Sequence, residues 1–144
     1  MRASLSNGYV VSQARRMGWA FRNSLNLRPG SRIAIFSPNH TTYPIAIYAC
    51  ERPSMVATLI NPGSTAKELA SFLSMTDASV ILAHPSILDK AKEAVQECPS
   101  VRLLAFSDTD DFEKTESVPD IRSLHCEEEL ETYKILDPYN ETVL

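Results

Sequence analysis

Apolar and polar positions alternate along this chain in blocks of distinct period. Val10, Ala14, Met17, Phe21 and Leu25 recur at steps of three and four, the spacing of one helical face. Trp19 falls nearly opposite that face. Two readings follow for it: a ring lying flat on the surface, or a second contact surface for other chain. Arg28-Pro-Gly-Ser31 breaks the helix with turn residues. The apolar run Ile33–Phe36 then reads as a buried strand, ended by Ser37-Pro38-Asn39. Thr41 or Thr42 can cap the next helix, with Pro44 in its first turn, where no amide hydrogen is needed. Ile45 to Cys50 is apolar almost all round, which predicts burial on more than one side.

The pattern then repeats. Met55–Ile60 is the second strand, closed by Asn61-Pro-Gly63. Thr65-Ala-Lys-Glu68 is a capping box opening a helix whose face is Leu69, Ala70 and Leu73. Val80–Ala83 is the third strand, ended by His84-Pro85. Ser86 is placed to cap a fourth helix with Ile87, Leu88, Ala91, Ala94, Val95 and Cys98 on one side. Val101–Phe106 is the fourth strand. The strands start roughly 23 residues apart and alternate with helices, the signature of an α/β fold with a parallel sheet of about four strands and βαβ crossovers. The expected organisation is one partial domain: an N-terminal helix over residues 1–27, the βαβαβαβ core over 28–106, and an acidic loop and tail over 107–144. A short strand and an acidic helix around Glu127–Glu131 are expected in that tail, the helix being most simply an exposed face.

Length and composition add limits. The 144 residues, 44% hydrophobic and 22% charged, suit one soluble globular unit. No apolar run approaches the roughly 20 residues that span a bilayer. Cys50, Cys98 and Cys126 are scattered and odd in number, which points to reduced thiols in an intracellular, cytoplasmic protein. Charge is unevenly spread: 11 basic against 6 acidic residues up to Leu104, and 3 against 12 beyond it, or +5 and −9. The acid-free, Arg-containing start has the composition of a mitochondrial transit peptide, but it runs straight into a core-like strand. Basic residues without interleaved aromatics argue against a nucleic-acid partner.

The search for chemistry is mostly one of exclusions. Glycine occurs only at 8, 18, 30 and 63, so neither a Rossmann fingerprint nor a P-loop is present. The carboxyl ends of the strands, where open α/β sheets bind ligands, would present Ser37, Asn39 and His40, then Asn61, then His84, then Ser107 and Asp108. His40 and His84 are candidates for an acid/base pair, against the plainer reading of two polar loop residues. Asp108-Thr-Asp-Asp111 lacks the Gly and closing Glu of a calcium loop. His125-Cys126 with distant Cys98 does not have zinc-site spacing. No catalytic, cofactor-binding or metal-ligating residue is assigned.

Several segments resemble the N-terminal part of adenylate-forming acyl-CoA synthetases of the coumarate–CoA ligase and luciferase type. They are Leu27-Arg-Pro-Gly-Ser-Arg32, Ser37-Pro-Asn39, Tyr43-Pro-Ile-Ala46, and Leu59-Ile-Asn-Pro62 followed by Thr65-Ala-Lys-Glu-Leu69. These are turn and packing motifs, and the likeness extends over roughly Ala14 to Leu144. Two positions depart from the family pattern. Ser31 stands where Asp is usual, and Arg52-Pro-Ser-Met55 replaces an Ala-Gly pair before the second strand, which predicts a strained turn. The resemblance implies activation of a carboxylic acid by ATP and magnesium to an acyl-adenylate, then transfer to CoA. It also implies that the ATP-gripping loop follows the equivalent of Asp137–Leu144, with the catalytic lobe further downstream. The expectation is therefore an incomplete ligase chain, not catalytic alone, using no cofactor itself, with an apolar face exposed for the remainder of the ligase or another protein. A non-catalytic α/β binding or regulatory module, and a small enzyme with a strand-end site, are the alternatives. A peroxisomal address of Ser-Lys-Leu type is not what Thr-Val-Leu spells.

Overall fold

The structure is a computed structural model and describes residues 7–38, 43–51, 53–106 and 121. Its elements run α1 (Asn7–Trp19), β1 (Arg32–Phe36), α2 (Tyr43–Glu51), β2 (Val56–Ile60), α3 (Ala66–Thr76), β3 (Val80–Ala83), α4 (Leu88–Gln96) and β4 (Arg102–Ala105). All strand pairs are parallel, in the order β2-β1-β3-β4. The α/β fold expected from the periodicity is the one observed.

Alternation along each strand divides the core into two layers. Ile33 and Ile35 of β1, Val80 and Leu82 of β3, and Leu104 and Phe106 at β4 pack with α1 and α2. Ala34 and Phe36, Ile81 and Ala83, and Ala105 pack with α3 and α4. The crossovers explain this split. The β1-to-β2 step moves one way across the sheet and the two later steps move the other way, so crossovers of one hand put α2 opposite α3 and α4. Helices cover both faces, which is why β1 and β3 are apolar on both.

The connections are set by local chemistry. Arg28–Ser31 is a turn in which the Ser31 amide and hydroxyl both donate to the Arg28 carbonyl, at 3.0 and 2.6 Å. Gly30 there has φ +89°, which only glycine adopts freely. The capping box is complete: the Glu68 amide donates to the Thr65 hydroxyl (3.1 Å), and the Thr65 amide donates to the Glu68 carboxylate (3.0 Å). The turn ahead of β2 carries the strain that Pro53-Ser54 predicts. The Met55 amide reaches back to the Cys50 carbonyl (2.8 Å) and the Ser54 amide to Glu51 (3.1 Å), a Schellman pattern. It forces Ser54 to φ +61°.

Three expectations need correction. Trp19 is buried, 8% exposed, within the α1–α2 core. The helix widens after it into a π-helical turn, Ala20–Ser24, with the Leu25 amide bonding the Ala20 carbonyl at 2.9 Å. The whole run from Met17 to Phe21 is buried, which a single apolar face of a uniform 3.6-residue period does not predict. The second correction is α2, which buries Ile45, Ala46, Ala49 and Cys50 but leaves Tyr48 52% exposed. The third is β2, which begins at Val56 and lies at the edge of the sheet, with Val56 and Leu59 exposed. Residues 107–120 and 122–144, on which the acidic loop and tail were expected, lie outside the described residues.

Candidate functional site at the sheet's switch point

The strand order reverses at β1: its successor β2 lies on one side and β3 on the other. Chain leaving β1 and β3 therefore diverges, and their carboxyl ends form the crevice where such sheets bind ligands. The His84 amide donates to the Phe36 carbonyl (3.1 Å), so Ser37-Pro38 and His84-Pro85 lie side by side. Ser37 is buried, and its hydroxyl donates to the Pro38 carbonyl (3.0 Å). Tyr43 opens α2 near this end, and partial burial pushes its hydroxyl above the usual 10.0. His40, Asn39, Ser107 and Asp108 lie outside the described residues, so the His40–His84 pairing is not tested.

His84 itself is a capping residue. Its Nδ1 accepts the Ser86 amide (3.1 Å) and lies 2.8 Å from the Ser86 hydroxyl. This corrects the expectation that Ser86 caps the fourth helix. Pro85 has no amide hydrogen, so the first free donor of the turn Pro85–Ile87 belongs to Ser86 itself, and the acceptor must come from the preceding residue. That arrangement orders a turn. The signal was in the sequence: a polar side chain two residues before an unpaired amide, with Pro between.

The remaining strand end is similarly occupied. The Asn61 side chain accepts the Gly63 amide at 2.8 Å, and the first turn of α3 is closed by Thr65. The Glu68 carboxyl is held below its usual range, first by the Thr65 amide, then by the Thr65 hydroxyl, with a small contribution from Lys90. The Gly63, Ser86 and Glu68 amides are thus bound to the protein's own side chains, and a carboxylate stands at the start of α3. Among the described residues no group of three His, Cys, Asp or Glu side chains could hold a metal ion. No helix among them is long and apolar enough to cross a membrane. Cys50 and Cys98 are free and buried. Burial pushes the Cys50 thiol up to about 12, so it carries no nucleophilic thiolate near neutrality.

Comparison with known proteins gives a consistent likeness. The sequence model of the family described as "AMP-binding enzyme" matches residues 3–140. Curated relatives include the long-chain-fatty-acid–CoA ligases of Escherichia coli O157:H7, 31% identical over 73 residues, and of Yersinia pestis, 33% identical over 73 residues. Each alignment takes in 51% of this chain and 13% of the relative, so the matched stretch spans about an eighth of those ligases. Among solved structures, a benzoate CoA ligase from Burkholderia xenovorans LB400 superposes with a TM-score of 0.74 at 19% identity, over 85% of this chain and 23% of that one. A long-chain-fatty-acid-CoA ligase from Archaeoglobus fulgidus gives 0.69 at 19% identity, over 86% and 23%. At these identities the structural likeness shows the fold alone.

Proposed function

Since the chain belongs to the AMP-binding enzyme family, we propose that it supplies the first αβα unit of an acid–CoA ligase. In this reading the whole enzyme activates a carboxylic acid with ATP and passes the acyl group to CoA. The observation that carries it is the family match over residues 3–140, with fatty-acid–CoA ligases among the relatives. Those relatives support a fatty acid as the acid.

The described residues do not fit the phosphates of ATP themselves. The Ser86 and Gly63 amides are capped by His84 and Asn61, and Glu68 would repel a phosphate at α3. No step of the reaction is therefore assigned to this unit. Its role is to build the rigid sheet against which the binding segments are held. Val11 and Tyr48, each 52% exposed beside Arg15 in a groove of about 300 Å³ between α1 and α2, are the face offered to further ligase chain. Free Cys50 and Cys98 support a cytoplasmic setting.

The test takes native protein from its source cells, compares its intact mass with the 16.0 kDa of this chain, and assays pyrophosphate release with ATP, magnesium and a long-chain fatty acid or benzoate. Acid-dependent release by a heavier product, and none by residues 1–144 expressed alone, is expected. Release by residues 1–144 alone would overturn the scaffold role. No release by the native product with either acid would overturn the ligase reading.

A further inference from the structure

Strand β2 is an edge of the sheet among the described residues, and its backbone is polarised. In a strand, alternate residues direct N–H and C=O to opposite sides. The Val56 amide donates to the Ser31 carbonyl (2.9 Å) on the β1 side. Val56, Thr58 and Ile60 therefore spend their backbone groups on β1, while Ala57 and Leu59 direct theirs outward. Among the described residues the usual protections of an edge are missing. No charged residue occurs from Pro53 to Ala66, no proline lies within β2, and Val56 and Leu59 are 45% and 53% exposed. A groove of about 510 Å³ runs beside it, lined on its apolar side by Leu59, Ile60, Phe72 and Met75 and carrying Lys67 and Glu68.

We infer that a second copy of this chain pairs here, β2 against β2, antiparallel about a two-fold axis through Thr58. That register sets Ala57 opposite the partner's Leu59, and Leu59 opposite the partner's Ala57. Both residues have outward backbone groups, so each pair exchanges two hydrogen bonds and the two sheets join into one. Centring on Ala57 instead would set Leu59 opposite the partner's Met55. The Met55 amide already donates to Cys50, so that register loses bonds. Charge favours the self-pairing. An uncharged strand meets itself without like-charge repulsion across the axis, and one lysine with one glutamate in the groove is a set complementary to itself under a two-fold.

Sedimentation equilibrium of residues 1–144 tests this. The expected mass is twice 16.0 kDa for the wild type, and a single 16.0 kDa for Leu59→Pro, which removes an amide that β1 does not use. Leu59→Lys, which leaves the backbone intact and puts charge at the edge, is expected to be monomeric too, with an unchanged circular-dichroism spectrum. A wild type that stays at 16.0 kDa at all concentrations overturns the proposal. So does a dimer that survives Leu59→Lys, which places the interface elsewhere, or growth into open-ended aggregates, which is not a closed two-fold pair.

Discussion

Replacing Ser54 by glycine should make this protein more stable. Ser54 has φ +61°, a conformation that costs an L-residue about 1–2 kcal/mol through the clash of Cβ with its own backbone. The position cannot relax, because the chain is pinned on both sides of it. The Ser54 and Met55 amides close the end of α2, and the Ser54 carbonyl accepts the Gly30 amide at 2.7 Å, tying the turn before β2 to the turn before β1. Glycine removes the strain but adds freedom to the unfolded chain, worth about 0.5–1 kcal/mol in the opposite sense. Ser54 is exposed, so its side chain gives up little. The net gain is about 0.5–1 kcal/mol. At this chain length that is a rise in Tm of roughly 2–4 °C. Thermal unfolding followed by circular dichroism, with Ser54→Val as the opposite perturbation, measures it. A β-branched residue in the left-handed region should lower Tm by at least as much. If Ser54→Gly lowers Tm, or Ser54→Val leaves it unchanged, the turn is not under the strain assigned to it.

Thr65→Ala should cost about 1 kcal/mol in a urea titration, because the Glu68 amide loses its acceptor at the start of α3. Glu68 has a lowered folded pKa, so its contribution is present above its ordinary value of 4.5 and is lost as pH falls through the folded value. Glu68→Gln should accordingly flatten the acid limb of stability against pH. Cys50 goes the other way. Burial raises its thiol from the ordinary value of 9.0 to about 12, so its neutral form contributes fully below 9.0, and that contribution is lost as pH rises toward about 12. Mass spectrometry after maleimide treatment near neutral pH should find Cys50 unlabelled in the folded protein and labelled in urea; labelling without denaturant would contradict its burial. His84→Ala should cost about 1 kcal/mol by leaving the Ser86 amide without its acceptor, and His84→Asn should recover much of that, since an Asn oxygen can accept the same bond. Equal losses for both variants would show that His84 does something other than capping.

Much of this protein was determined by sequence alone wherever the cause lies within a few residues. The Thr65–Glu68 box, the Arg28–Ser31 turn, the strain at Ser54 and the alternation of four short apolar runs with helical faces are all local. Each depends on side chains and amides that meet at a separation of one turn. One local reading goes to the wrong residue: the cap belongs to His84 and not Ser86, because Pro85 has no amide hydrogen and the Ser86 amide is the donor that needs an acceptor. Tertiary structure alone decided the rest. A period of two says which residues of β2 share a face, but not which strand lies beside it. The edge position of Val56–Ile60, and hence the outward backbone of Ala57 and Leu59, follows only from the order β2-β1-β3-β4. Trp19 is inside because it packs in one cluster with Ile45, Ala46 and Ala49 of α2, and such a contact is fixed by packing between elements distant in the chain.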